Sequence, residues 1–284
     1  MEYILKVDSL AKQYKNFKID NISFQLEKGC IMGFIGQNGA GKTSTIKLLL
    51  NIIGRDSGKI SILQKDNIED EVYVKSHIGY VPDESYFMYN STFSGYCKAM
   101  KPFYENWSDE LVQKYIAVFN IPADQKIQEM SKGMKTKAML ALALAHQPQL
   151  LILDEPTAGL DPVARIEVLD ILRDFVSDGE RSVLFSTHIT SDLDKVADFI
   201  TIINRGKILE SLSIDKIEEK YVMLAGHIDD LKNQENEFVG IRKGVASFEG
   251  LILRERAEKV FSSYEKHTPN IENMLTFSIW GNRS

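Results

Sequence analysis

The sequence predicts an α/β protein with a mostly parallel sheet, an inserted helical subdomain and a small C-terminal appendage. Three observations carry that prediction. Short apolar runs without polar alternation, such as Ile31–Ile35 and Leu150–Leu153, lie between segments of helical spacing, as strands covered on both faces do. One of these runs stops at a cluster of glycines that opens into a helix-like segment, "GFIGQNGAGKTSTI". Residues 83–130 then turn aromatic-rich and helical in pattern before the strand and helix alternation resumes.

Taken in order, Ile4–Val7, Ile19–Leu26, Ile31–Ile35 and Lys59–Leu63 read as strands separated by turns. Between Asp83 and Met130, Phe93, Tyr96, Phe103, Tyr104, Trp107, Tyr115 and Phe119 are set among acids and lysines, which defines the helical insertion. From Ser131 to Leu209 come a helix, the strand Leu150–Leu153, a helix over Pro162–Val176, the strand Ser182–Phe185, another helix and a hairpin around Asn204-Arg205-Gly206. Val163, Ile166, Leu169 and Leu172 repeat at helical spacing and read mostly as packing. Residues 211–284 carry mixed charge and no nucleotide motif, so they read as an appended domain whose removal should spare nucleotide binding.

Composition excludes several functions. The 284 residues are 44% hydrophobic, enough for a packed core, and the formal net charge of −6 comes with no basic stripe. Nucleic acid is therefore not the expected partner. Cys30 and Cys97 form no Cys-x-x-Cys pair, which argues against a disulfide framework or a zinc cluster and suits a reducing compartment. The opening "MEYILKVDSLAK" does not have the pattern of a signal peptide. The longest apolar candidate, Ala138–Leu153, is interrupted by His146, Gln147, Pro148 and Gln149, short of the ~20 residues of a membrane span. Work at a membrane would require another chain to supply the span.

Gly36-x-x-x-x-Gly41-Lys42-Thr43 is a phosphate-binding pattern in its expected setting, with a strand before it and "TSTIKLLLNII" after it. Glycines let backbone N–H groups curl around phosphate oxygens, and the helix start adds partial positive charge. In that setting Lys42 reaches the β and γ phosphates and the Thr43 hydroxyl ligates Mg²⁺. A metal-holding acid is then needed at the end of a neighbouring buried strand, and "QLLILDEPTAGLDP" supplies Asp154 and Glu155. Successive strand residues face opposite sides, so the two carboxylates should differ in role: Asp154 for the metal, Glu155 to polarise an attacking water.

The series "GQNGAGKT", "SKGMK", "LLILDEP", "AGLD" and "STH", in this order and spacing, resembles the ATP-binding cassette (ABC) ATPase family over residues 1–210. The signature form Ser131-Lys132-Gly133-Met134-Lys135 is similar to that of bacterial exporter ATPases, including those for antibiotics and peptides. The resemblance implies a P-loop NTPase core with an antiparallel β subdomain, the helical subdomain at 83–130, and ATP and Mg²⁺ as ligands. It implies that Gly36, Gln37, Asn38, Gly39, Ala40, Gly41, Lys42, Thr43 and Ser44 bind phosphate, that Tyr14 stacks on adenine, and that His188 contacts the γ-phosphate. Within "AKQYKNF", Tyr14 or Phe17 could instead pack the strand. It further implies that Ser131 and Gly133 contact ATP bound to a second chain, itself or a paralogue, in a head-to-tail dimer whose interface the Asp161 loop crosses. A separate transmembrane permease subunit would be the other partner, docking beside Asp83 against "DESYFMYNSTFSGY", and would hold the chain at the cytoplasmic face of the membrane to power export. Two departures stand out. The signature has Lys132 and Met134 where a second glycine and a glutamine are commoner, and the metal and water ligand after "HIGYVP" is Asp83, one methylene shorter than the usual residue in exporter-like branches. No Asn-Lys-x-Asp guanine-reading sequence occurs, and a kinase would not explain "SKGMK" or "AGLD". The alternative is a non-transport cassette acting on nucleic acid or ribosomes, although the coiled coil, zinc cysteines or second cassette of that class are missing from this sequence.

Overall fold

A computed structural model describes residues 2–88, 90–231 and 234–282. The chain runs β1 (Tyr3–Gln13), β2 (Lys18–Glu27), β3 (Ile31–Ile35), α1 (Lys42–Leu49), β4 (Ser57–Ile62), β5 (Lys65–Asp66), α2 (Glu71–Ser76) and β6 (Ile78–Val81). The insertion contributes α3 (Phe93–Met100) and α4 (Asp109–Phe119), followed by α5 (Lys132–Ala145), β7 (Leu150–Asp154), α6 (Pro162–Val176), β8 (Ser182–Thr187), α7 (Thr190–Val196), β9 (Phe199–Asn204) and β10 (Lys207–Ser213). The rest holds α8 (Ile214–Lys220), β11 (Tyr221–His227), β12 (Phe238–Lys243), β13 (Ser247–Leu253), α9 (Arg254–Val260), β14 (Lys266–His267) and α10 (Ile271–Gly281).

The central sheet has the order β10-β9-β3-β8-β7-β6, parallel throughout except for β10. Every residue of β3, β7 and β8 is buried, because α5, α6 and α7 cover one face of these strands and α1 with the antiparallel sheet covers the other. The other early strands form an antiparallel sheet of order β2-β1-β4-β5, which packs its apolar face on the other side of α1 and the central strands. Helix α5 is buried continuously from Ala138 to its end, and Ala138–Ala145 sit in one apolar cluster with the insertion's Phe93, Val112 and Phe119. The insertion's aromatics divide: Phe93 and Phe119 are core, whereas Phe103 is 77% exposed.

Two sequence expectations change. On α6, Leu169 and Leu172 are buried, but Val163 and Ile166 are 66% and 51% exposed, so half of that apolar stripe faces out beside Asp161. The boundary drawn at residues 210 and 211 falls inside β10, whose Ser211, Leu212 and Ser213 pair with Thr201, Ile200 and Phe199. Beyond it, β12-β13-β11-β14 form a third, antiparallel sheet with its own apolar cluster. Helix α10 nevertheless returns to the main body. Ile271, Met274 and Phe277 share the cluster of Phe185, Leu193 and Val196, and Ile271 N–H donates to Asp194 (3.2 Å).

Candidate functional site

The loop between β3 and α1 is shaped by its surroundings. A Cβ at Gly36 would meet the Ile203 carbonyl oxygen at 2.3 Å, and Gly41, the residue before α1, has φ +117°, so neither position tolerates a side chain. Gly206 N–H, in the β9–β10 turn, donates to the Ala40 carbonyl (2.8 Å) and holds the loop from behind. Gln37, Asn38 and Gly39 are exposed, Ser44 is half-buried, and Lys42 is buried, with its Nζ donating to Gly36 O (2.8 Å).

Strands β3, β8 and β7 lie side by side in parallel, so their C-terminal ends bring the predicted groups to one edge. Thr43 Oγ1 donates to Asp154 Oδ2 at 2.7 Å. The other oxygen, Asp154 Oδ1, is buried without a partner, and burial pushes this carboxyl's pKa up despite the bond from Thr43. A carboxylate oxygen and a hydroxyl held at the strand and helix ends are the hard donors that Mg²⁺ takes, so the residues present fit that ion. Glu155 turns away from Asp154. It has φ +53°, a left-handed conformation costly for a non-glycine residue, and its N–H is fixed by Ser186 O (2.8 Å). That turn places Oε1 3.3 Å from Lys42 Nζ and Oε2 2.7 Å from His188 Nδ1, with His188 N–H donating to the same oxygen at 3.2 Å. Lys42, Thr43, Asp154, Glu155 and His188 are thus one connected cluster.

Ser131 and Gly133 stand apart from it. Ser131 caps α5, accepting from Met134 N–H (3.2 Å), and a Cβ at Gly133 would lie 3.1 Å from Leu160. Among the described residues neither bonds to the Lys42–His188 cluster. Asp161 caps α6 by accepting from Val163 and Ala164 N–H (both 3.0 Å), bonds that hold its carboxyl below the usual range. Asp83 is exposed and pairs with Lys132 Nζ at 3.2 Å instead of with Thr43 or Asp154. The two departures from the family pattern therefore meet each other, which charge patterning along the chain does not reveal.

Tyr14 sits half-buried in the β1–β2 turn, its N–H on Phe17 O (2.8 Å) and its ring 6.0 Å from that of Phe17. Phe17 lies against the phosphate loop: its Cζ would be 3.0 Å from a Cβ at Gly41. Ser186 lies within "STH", a motif that points to His188, and strand register brings it to Asp154.

An apolar cavity of about 290 Å³ opens elsewhere, lined by Leu50, Ile52, Tyr80, Tyr86, Tyr104 and His146 among others. Met88 (70%) and Ile52 (55%) are strongly exposed apolar residues in this part of the chain. The cavity runs from the end of α1 to the insertion, and Asp83 lines a different cleft with Lys132 and Lys135. Of the segment expected to form the docking groove, Phe87 and Phe93 are buried and Tyr89 lies outside the described residues.

The parallel sheet, the phosphate loop and the carboxylates at the strand ends define an ATP-binding cassette. The chain belongs to the ABC transporter family: residues 19–158 match its model, described as ABC transporter. It is 32% identical over 225 residues to the bacitracin transport ATP-binding protein BcrA of Bacillus licheniformis, covering 78% of this chain and 73% of that protein. It is 30% identical over 209 residues to the ABC transporter ATP-binding protein YtrB of Bacillus subtilis, covering 74% and 71%. A solved structure of an ATP-binding subunit of an ABC transporter superposes with TM-score 0.70 at 25% identity, over 76% of this chain and 92% of that one. This chain is accordingly an ATPase subunit of the ABC type.

Proposed function

We propose that the chain powers export through a separate transmembrane subunit, working as a head-to-tail dimer at the cytoplasmic face of the membrane. The observation that carries the catalytic part is the connected cluster of Lys42, Thr43, Asp154, Glu155 and His188. In this reading ATP lies on residues 36–44, with Tyr14 toward the base and Phe17 supporting Gly41. Mg²⁺, held by Thr43 and Asp154, supplies charge neutralisation at the phosphates. Lys42 exchanges Glu155 for phosphate oxygens, which frees Glu155 to orient a water and accept its proton, while His188 moves to the γ-phosphate. Asp83 can join the metal only by leaving Lys132.

The separation of Ser131 and Gly133 from that cluster supports a second chain, which would bring its own signature residues to this nucleotide. Export is supported by the exporter-like "SKGMK" form and by the similarity to a bacitracin transport protein. The exposed apolar surface around Ile52, Tyr86 and Met88 supports a docking partner, as does the fact that no helix among the described residues is long and apolar enough to cross a membrane. The test measures phosphate release by the purified chain and its recovery with membranes of its source cells. Lys42→Ala should abolish release by removing the charge that faces the phosphates. Ile52→Glu should leave ATP binding intact and release the chain from membranes. Full activity of Lys42→Ala would overturn the catalytic assignment, and a parent chain that never co-sediments would overturn the membrane partner.

A further inference from the structure

Ser186 is an anomaly by its position. It is fully buried in β8, following Val183, Leu184 and Phe185, where an apolar residue would satisfy the strand. Its Oγ has no hydrogen-bond partner, and neither has Asp154 Oδ1. The parallel register pairs Asp154 with Ser186, so the two side chains emerge on the same face of adjacent strands, about 5 Å apart at their backbones. Buried polar groups are nearly always paired, and an orphaned one bears the full penalty of its lost hydration. Two orphans facing each other across one strand pairing share a single explanation.

We propose that Ser186 is a positioning residue for the hydrolytic site: its hydroxyl holds the Asp154 oxygen that Thr43 leaves free, while its carbonyl fixes the backbone of Glu155. Thr43 occupies Oδ2 at 2.7 Å, and when its hydroxyl is drawn to the metal the carboxylate loses that anchor. A donor on Oδ1 keeps the carboxylate oriented through the exchange. The carbonyl does the same for its neighbour, since the bond from Glu155 N–H (2.8 Å) secures the left-handed turn that separates the two acids. One residue thus sets the orientation of both carboxylates, the first through its side chain and the second through its main chain.

The inference rests on the reading of Asp154 as the metal-holding acid, and the experiment separates the two. Binding of a fluorescent ATP analogue without metal is compared with the Mn²⁺ concentration that half-saturates the ATP-bound chain, followed by electron paramagnetic resonance. Ser186→Ala should leave metal-free nucleotide affinity unchanged and raise the Mn²⁺ requirement about tenfold, the usual cost of losing a group that orients a metal ligand. Ser186→Thr, which keeps the hydroxyl, should restore the parent requirement, and Ser186→Val, of matching bulk, should not. Equal behaviour of the Thr and Val variants, or an unshifted Ala variant, would overturn the role of Ser186. If Asp154→Asn leaves the Mn²⁺ requirement unchanged, the reading of Asp154 itself fails, whatever Ser186 does.

Discussion

Replacing Glu155 with Gln keeps the side chain's shape but removes the negative charge that Lys42 faces at 3.3 Å and an acceptor that His188 reaches through Nδ1 (2.7 Å) and N–H (3.2 Å). Two effects follow, of opposite sign with respect to ATP. Without nucleotide, buried Lys42 is left with only the Gly36 carbonyl among these contacts, and an unpaired buried charge-bonded group costs about 1–3 kcal/mol. At about 2–4 °C per kcal/mol for a chain of this size, the nucleotide-free variant should melt a few degrees below the parent. With Mg²⁺ and ATP the phosphates replace the lost charge, and the amide cannot take the proton from water. Hydrolysis should fall ~10²–10⁴-fold, about 3–5 kcal/mol in the barrier. The trapped nucleotide should then raise the melting temperature by mass action and hold two chains together. The assay is phosphate release, thermal melting with and without Mg²⁺ and ATP, and light scattering across the size-exclusion peak. Adding Ser131→Arg should abolish the paired species. Hydrolysis at the parent rate would remove Glu155 from the mechanism. A chain that stays single at saturating ATP would point to a heterodimer or a membrane partner needed for closure.

Asp161→Ala removes an acceptor of two backbone N–H groups at the start of α6 and should lower the denaturant midpoint of unfolding, an unshifted midpoint refuting the capping role. Phe277→Ala empties a buried site shared with the main body, so calorimetry should find one transition lowered by about 3–5 kcal/mol; an unaffected cassette transition beside a lowered second one would make the C-terminal part independent. His146 is buried against Tyr104, with ring centroids 4.0 Å apart, and burial lowers its pKa to about 4. The unfolded chain therefore binds the extra proton as pH falls from ~6.5, and stability present above that pH is lost toward pH 4, by ~2 kcal/mol at pH 5. His146→Leu should flatten that part of the melting-temperature profile relative to the parent, and an unchanged slope would refute the assignment to His146.

What the sequence determined by itself is local. The strand Ile31–Ile35, the glycine loop and the helix after it follow from a few consecutive residues, because turn geometry and helix starts are set within a short stretch of backbone. Helix α6 has the predicted ends Pro162 and Val176, since a proline and a capping aspartate mark its beginning and the apolar spacing its length. Asp154, Glu155 and His188 were legible because each ends or follows a strand of unmistakable pattern. Tertiary structure decided which of those ends become neighbours. Register between β7 and β8, set by packing of whole strands against helices, brings Ser186 to Asp154 across 32 positions of sequence. The same holds for Phe17 against Gly41 and for Asp83 against Lys132. Apolar spacing assigns residues to one face of a helix without saying whether that face finds a partner. Val163 and Ile166 therefore remain exposed on α6, while Phe277, in a segment read as an appendage, completes the core of the cassette.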